Sequence, residues 1–181
     1  MFNLGTVFLI GFLFAKGQVA GFDIAIKIVF VFIIPFEVLQ QALFPVIVRG
    51  VRKSVLRKIT VATFIISSAA AIVLYVFSEN VIVIFGGTEM YKYSYVLDLV
   101  LVLIPIVSLT IVVGNCILVA KGHYKQYNWS LIVSAMVFVS LLIVLKTTDQ
   151  LNFLNVILIR VLADFIQLLI RFYYNFKFKI I

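Results

Sequence analysis

The chain has 181 residues, 65% of them hydrophobic and 12% charged, with a formal net charge of +8. Soluble domains carry roughly 25% charged residues to solvate their surfaces, so this composition excludes a water-facing exterior and predicts one small domain with lipid around it. The cations fall in loops between apolar runs, which assigns the positive charge to topology and anionic headgroups and argues against nucleic acid as a partner.

The first apolar run covers residues 2–15 and stops at Lys16-Gly17-Gln18. Its fourteen residues would rise about 21 Å as a helix, short of the roughly 30 Å hydrocarbon core. Neither a basic leader nor a small-residue cleavage site precedes a soluble part, so no cleavable signal peptide is read there. The second run, residues 24–48, is long enough to span and contains Pro35 and Pro45. The third covers residues 59–77. Residues 81–85 are too few to span and lead into Gly86-Gly87, which predicts an interfacial segment. The fourth run, 94–120, holds Pro105 and Gly114; Pro35, Pro45 and Pro105 are the expected helix kinks. The fifth covers 129–145, anchored by Tyr127. The sixth, 151–174, ends in Tyr173-Tyr174, residues suited to a membrane interface.

Continuous apolar runs of this length favour helices over barrel strands, which alternate apolar and polar over about ten residues. The expected fold is therefore all-α, a polytopic membrane bundle of six segments forming a single membrane domain over residues 1–181. Cations set its direction. Arg49, Arg52, Lys53, Arg57 and Lys58 share one loop with no acid, Lys121 and Lys125 lie in another, and Arg171, Lys177 and Lys179 lie towards the C-terminus. The alternate loops mix Lys16, Lys92 and Lys146 with Asp23, Glu79, Glu89 and Asp149. The positive-inside rule places the first set, and both termini, in the cytoplasm.

Polar groups inside spans are costly and mark partners or cavities. Glu37, Gln40 and Gln41 lie between Pro35 and Pro45 at spacings of three and four, on one helix side. They fit either a hydrophilic cavity for a polar substrate or hydrogen bonds to a neighbouring helix. Arg160 and Asp164 are also four apart, and read either as a cavity that attracts phosphate or as a self-neutralised structural pair. Asp98 lies near the outer interface, where water would solvate it. Gly114-Asn115 suggests a close helix crossing. His123, the single histidine, sits in a basic loop and reads as a solvated residue, and Cys116 is alone, so one chain forms neither a disulfide framework nor a metal cluster. No nucleophile motif, phosphate-cradling loop or metal spacing is present, so the expectation is no catalytic residue, no cofactor and no enzyme.

Four stretches carry a resemblance. Val19-Ala20-Gly21-Phe22-Asp23-Ile24-Ala25-Ile26-Lys27-Ile28, Gln41-Ala42-Leu43-Phe44-Pro45-Val46-Ile47, Val83-Ile84-Phe85-Gly86-Gly87 with Tyr91, and Gly114-Asn115-Cys116-Ile117-Leu118-Val119-Ala120-Lys121-Gly122 occur in that order. Together they resemble the C-terminal half of bacterial polysaccharide flippases, the O-antigen transporters of the multidrug/oligosaccharidyl-lipid/polysaccharide exporter superfamily. Val48 departs from the family pattern, which has serine there. The first stretch is similar to the family's short connection between spans seven and eight, and the fourth to the close of span ten.

The resemblance implies one lobe of a two-lobe, twelve-helix transporter of the bacterial inner membrane. Its substrate would be a lipid-linked oligosaccharide repeat unit for O-antigen lipopolysaccharide, capsule or exopolysaccharide. Substrate would pass between lobes by alternating access, so this lobe needs an N-terminal lobe, on the same chain or on a second polypeptide, and does not suffice alone. The short first run then reads as a seventh span cut inside, in a truncated frame, a fragment or half of a split transporter. Other readings are a drug or peptidoglycan-precursor exporter of the same superfamily, or a non-transporting membrane subunit.

Overall fold

The computed structural model describes Ile10, Gly11, Phe14 and residues 16–181. The expected span at 2–15 otherwise lies outside the described residues. The described chain forms α1 (Lys16–Arg49), α2 (Lys53–Val76), α3 (Ser78–Gly86), a 3₁₀ segment (Thr88–Tyr93), α4 (Ser94–Val100), α5 (Leu103–Thr110), a π-helical segment (Ile111–Leu118), α6 (Tyr124–Thr147) and α7 (Phe153–Lys177). There is no strand among the described residues. In hydrocarbon each backbone amide must find its partner locally, and helices achieve that. Among the described residues four helices (α1, α2, α6 and α7) are long and apolar enough to cross a membrane, or five spans if the bent pair Thr88–Val100 and Leu103–Leu118 counts as one.

The sequence places a break at Lys16-Gly17-Gln18, but these residues form the first turn of α1. The reason is tertiary. Gly17 and Gly21, one turn apart, form a notch that receives the ring of Tyr93: a Cβ at Gly21 would lie 2.8 Å from the Tyr93 ring, and one at Gly17 would meet its hydroxyl. The glycines serve close packing rather than chain reversal. The stretch that resembles a family connection, residues 19–28, is accordingly helical throughout. At 34 residues, α1 is about 51 Å long and overreaches the roughly 30 Å hydrocarbon core, with the exposed Asp23–Lys27 ion pair (2.6 Å) towards its N-terminal end.

The expected single span at 94–120 is bent by 43°. Pro105 has no N–H for the carbonyl of Leu101, and Ile104 takes that carbonyl instead, three residues back, at 3.0 Å. Further on the ladder widens, with Val119 N–H bonded to the Gly114 carbonyl five residues back at 3.1 Å. Pro35 and Pro45 instead lie inside the continuous helix α1. The segment expected at the interface is α3, whose Ile84 and Phe85 are exposed.

The bent span is the centre of the bundle. α1 packs on α4, α5 and the π segment, α2 on α5, and α7 on α5, the π segment and α6. Phe22, Ile33, Leu97, Ile104 and Ile157 are among the buried side chains that join these elements in the main apolar core. The outward faces of α2 and α6 are apolar (Phe64, Ile65, Ile72, Met136, Ile143), which suits acyl chains rather than water.

Candidate functional site

Two groups of polar residues meet the bilayer problem in opposite ways. The first is a buried stripe on α7. Arg160, Asp164, Gln167, Arg171 and Asn175 follow at intervals of three and four and are all buried. That periodicity places them on one helix face, turned into the bundle. The amphipathic pattern of a soluble helix is thus inverted, with polar groups inside and apolar ones such as Leu158, Leu162, Leu169 and Phe176 outside.

Arg160 Nη2 and Asp164 Oδ2 are 3.0 Å apart, so the expected i,i+4 pair forms. Lower on α7, Arg171 Nε donates to Ser130 Oγ (3.0 Å) and Nη1 to the Thr110 carbonyl (2.7 Å), while the guanidinium lies over the Tyr127 ring at 4.3 Å. Asn175 Nδ2 donates to the carbonyls of Val113 (3.1 Å) and Arg171 (2.8 Å). The acceptors Thr110 and Val113 belong to the stretch where α5 passes into the π segment, where a widened backbone presents carbonyls sideways. From α6, Ser134 Oγ donates to the Ala163 carbonyl at 2.8 Å. Ser130, Ser134 and Phe138 are the buried residues of α6, so small side chains let it lie close against α7.

This stripe was only half read from sequence. Arg171 counted there as a cytoplasmic cation, yet it is 2% exposed and serves packing. Gln167, Arg171 and Asn175 continue the spacing of Arg160 and Asp164, and that continuation was the available signal. Two other expectations change. His123 is stacked on Phe178 (centroids 4.1 Å apart) rather than simply solvated, and Asp98 is half-buried with Oδ1 enclosed and lacking a hydrogen-bond partner among the described residues. Gly114 does mark a close approach, made by the Arg171 side chain.

The second group is on α1. Glu37 and Gln41 are exposed, whereas Gln40 is half-buried and its backbone carbonyl lies 3.9 Å from Cys116 Sγ in the π segment. The three residues therefore divide, with Gln40 half-buried and Glu37 with Gln41 outward. Arg160 and Asp164, being buried, share no surface with that outward pair. Glu37 is twelve residues from Arg49 at the end of α1, about 18 Å along the axis and near the middle of a 30 Å core. Around it Ile34, Val38 and Val46 are exposed. A charged residue at the centre of a lipid-facing helix costs about 2.5–3.5 kcal/mol on insertion scales. The bare Glu37 face is thus unsuited to lipid, while the α7 stripe is enclosed in the bundle and only partly satisfied there, with Arg171 Nη2 and Asn175 Oδ1 lacking a hydrogen-bond partner among the described residues.

Among the described residues no group of His, Cys, Asp and Glu is placed to hold a metal ion. Comparison with protein-family models, with curated proteins and with solved structures finds no match for this chain.

Proposed function

We propose that the chain is one lobe of a membrane exporter of the polysaccharide-flippase kind, moving a lipid-linked oligosaccharide together with a second lobe that faces Glu37 and Gln41. The observation that carries this reading is the exposed carboxyl of Glu37 and amide of Gln41 on the apolar helix α1, about 18 and 12 Å along the axis from Arg49. Such a face needs water or a polar partner, and a substrate path between two lobes supplies both. The bent central span supports it, since discontinuous helices at the midplane recur in transporters. The α7 stripe is buried inside the bundle, and in this reading it belongs to the frame against which the lobe would rock.

The test is translocation of a fluorescent lipid-linked oligosaccharide in proteoliposomes. Transport is expected when the chain is reconstituted with a second lobe, and Glu37→Leu should lower it at least ten-fold. Equal transport by the chain alone, or full activity of Glu37→Leu, would overturn the reading.

A further inference from the structure

One face of α1 is left bare, and its spacing is that of a seam between two helices. Val31, Ile34, Val38, Gln41, Pro45 and Val48 follow at alternating intervals of three and four, and all six are exposed. The opposite side of the same helix, with Val29, Ile33, Phe36 and Ile47, is buried in the bundle. A repeat of 3.5 residues lets two α-helices lie side by side over many turns, because a left-handed coil keeps the same residues on the shared line. From Val31 to Val48 the bare line rises about 26 Å, close to the roughly 30 Å hydrocarbon core. Acyl chains suit its valines but offer no hydrogen bond to Gln41 or to the adjoining Glu37.

We infer that this line docks a second copy of the chain, the two α1 helices pairing about a two-fold axis along the membrane normal. The cation bias inserts every copy in the same direction, so the pair is parallel and like residues meet across the axis. Val31, Ile34, Val38 and Val48 are short and apolar, which permits close approach. At Gln41 the face complements itself. A carboxamide is both donor and acceptor, so two of them at a two-fold axis exchange both bonds. The remaining N–H of each amide is then in reach of the partner's Glu37, one turn away beside the seam. A single polar position in an apolar seam also fixes the register, because a slip would strand both amides. Lys27, the next exposed residue outward on the same line, is already paired with Asp23 of its own helix at 2.6 Å. The pairing rests on the seam itself; its consequence rests on the exporter reading, in which a second lobe faces the same Glu37 and Gln41. The two partners then compete, and a chain without its second lobe is held as a pair whose closed seam leaves no passage for substrate.

The experiment uses the full chain in liposomes at a low protein-to-lipid ratio. Single-molecule photobleaching should count two copies per particle. Val38→Trp should lower the paired fraction at least ten-fold, whereas Val46→Trp, exposed but off the line, should leave it unchanged. In a Cys116→Ser background, Ile34→Cys and Val38→Cys should form intermolecular disulfides at least ten-fold faster than Leu39→Cys and Val46→Cys. A monomer, equal cross-linking at all four positions, or equal pairing by the two tryptophan variants overturns the inference. Adding a second lobe should reduce the pairing as translocation begins. Translocation with a second lobe but no pairing of the chain alone overturns the inference and leaves the exporter reading standing. Pairing with no translocation in any mixture does the reverse.

Discussion

The guanidinium of Arg171 occupies the space that a side chain at Gly114 would need. A Cβ at Gly114 would lie 2.6 Å from Arg171 Cζ and 2.7 Å from Cδ. The arginine comes from the last helix and the glycine from the central one, and the contact brings Nη1 to the Thr110 carbonyl. A missing side chain on one helix thereby admits a cation into the backbone of the widened turn.

Gly114→Ala should displace Arg171 from its bonds to Ser130 and Thr110. Hydrogen bonds to charged groups contribute about 1.5–3 kcal/mol each, so a loss of that order is expected. In an Arg171→Met background the same substitution should cost far less, because the colliding group is gone. Thermal unfolding of the four proteins in detergent measures the coupling, and additive losses would show that the two residues act independently.

Arg160→Leu leaves Asp164 buried without its partner 3.0 Å away. Breaking a buried pair from one side costs about 3–5 kcal/mol, whereas replacing both members by apolar residues is often nearly neutral. Arg160→Leu with Asp164→Leu should therefore be more stable than Arg160→Leu alone, as read by thermal unfolding. A double variant no better than the single one would show that Arg160 matters through other contacts.

Gly21→Leu should push Tyr93 out of the notch on α1, since even a Cβ would approach its ring to 2.8 Å. Overpacking of this kind costs about 1–3 kcal/mol. Tyr93→Ala should restore part of the loss, and fluorescence-detected size exclusion after graded heating would rank the three variants.

Pro105→Ala returns an N–H that can bond to the Leu101 carbonyl, and the 43° bend should decrease. Spin labels at Tyr95, on α4, and Val119, past the π segment, should move apart as the span straightens. An unchanged distance would place the cause of the bend in packing against α1 and α7 rather than in the proline.

The sequence already contained what depends on composition and local period. The apolar runs marked α1, α2, α6 and α7 to within about eight residues at their ends, because a bilayer imposes its thickness on every spanning helix. The Arg160–Asp164 pair was legible because four residues make one helical turn. Other features depended on which helix lies against which. Lys16-Gly17-Gln18 reads as a break in sequence, whereas Gly17 and Gly21 hold Tyr93 in a notch, and Arg171 reads as a cation of the cytoplasmic tail, whereas Gly114, Ser130 and Thr110 surround it.

The same distinction separates Glu37 from Gln40. Spacing puts both on one side of α1, but it cannot say where that side ends against the bundle. Hydropathy alone determined that the chain carries helices long and apolar enough to cross a membrane, since in hydrocarbon every amide must be satisfied locally. Only tertiary packing decided which polar groups were enclosed, as on α7, and which were left facing outward, as at Glu37 and Gln41. Burial is a property of neighbours distant in sequence, and no local period encodes it.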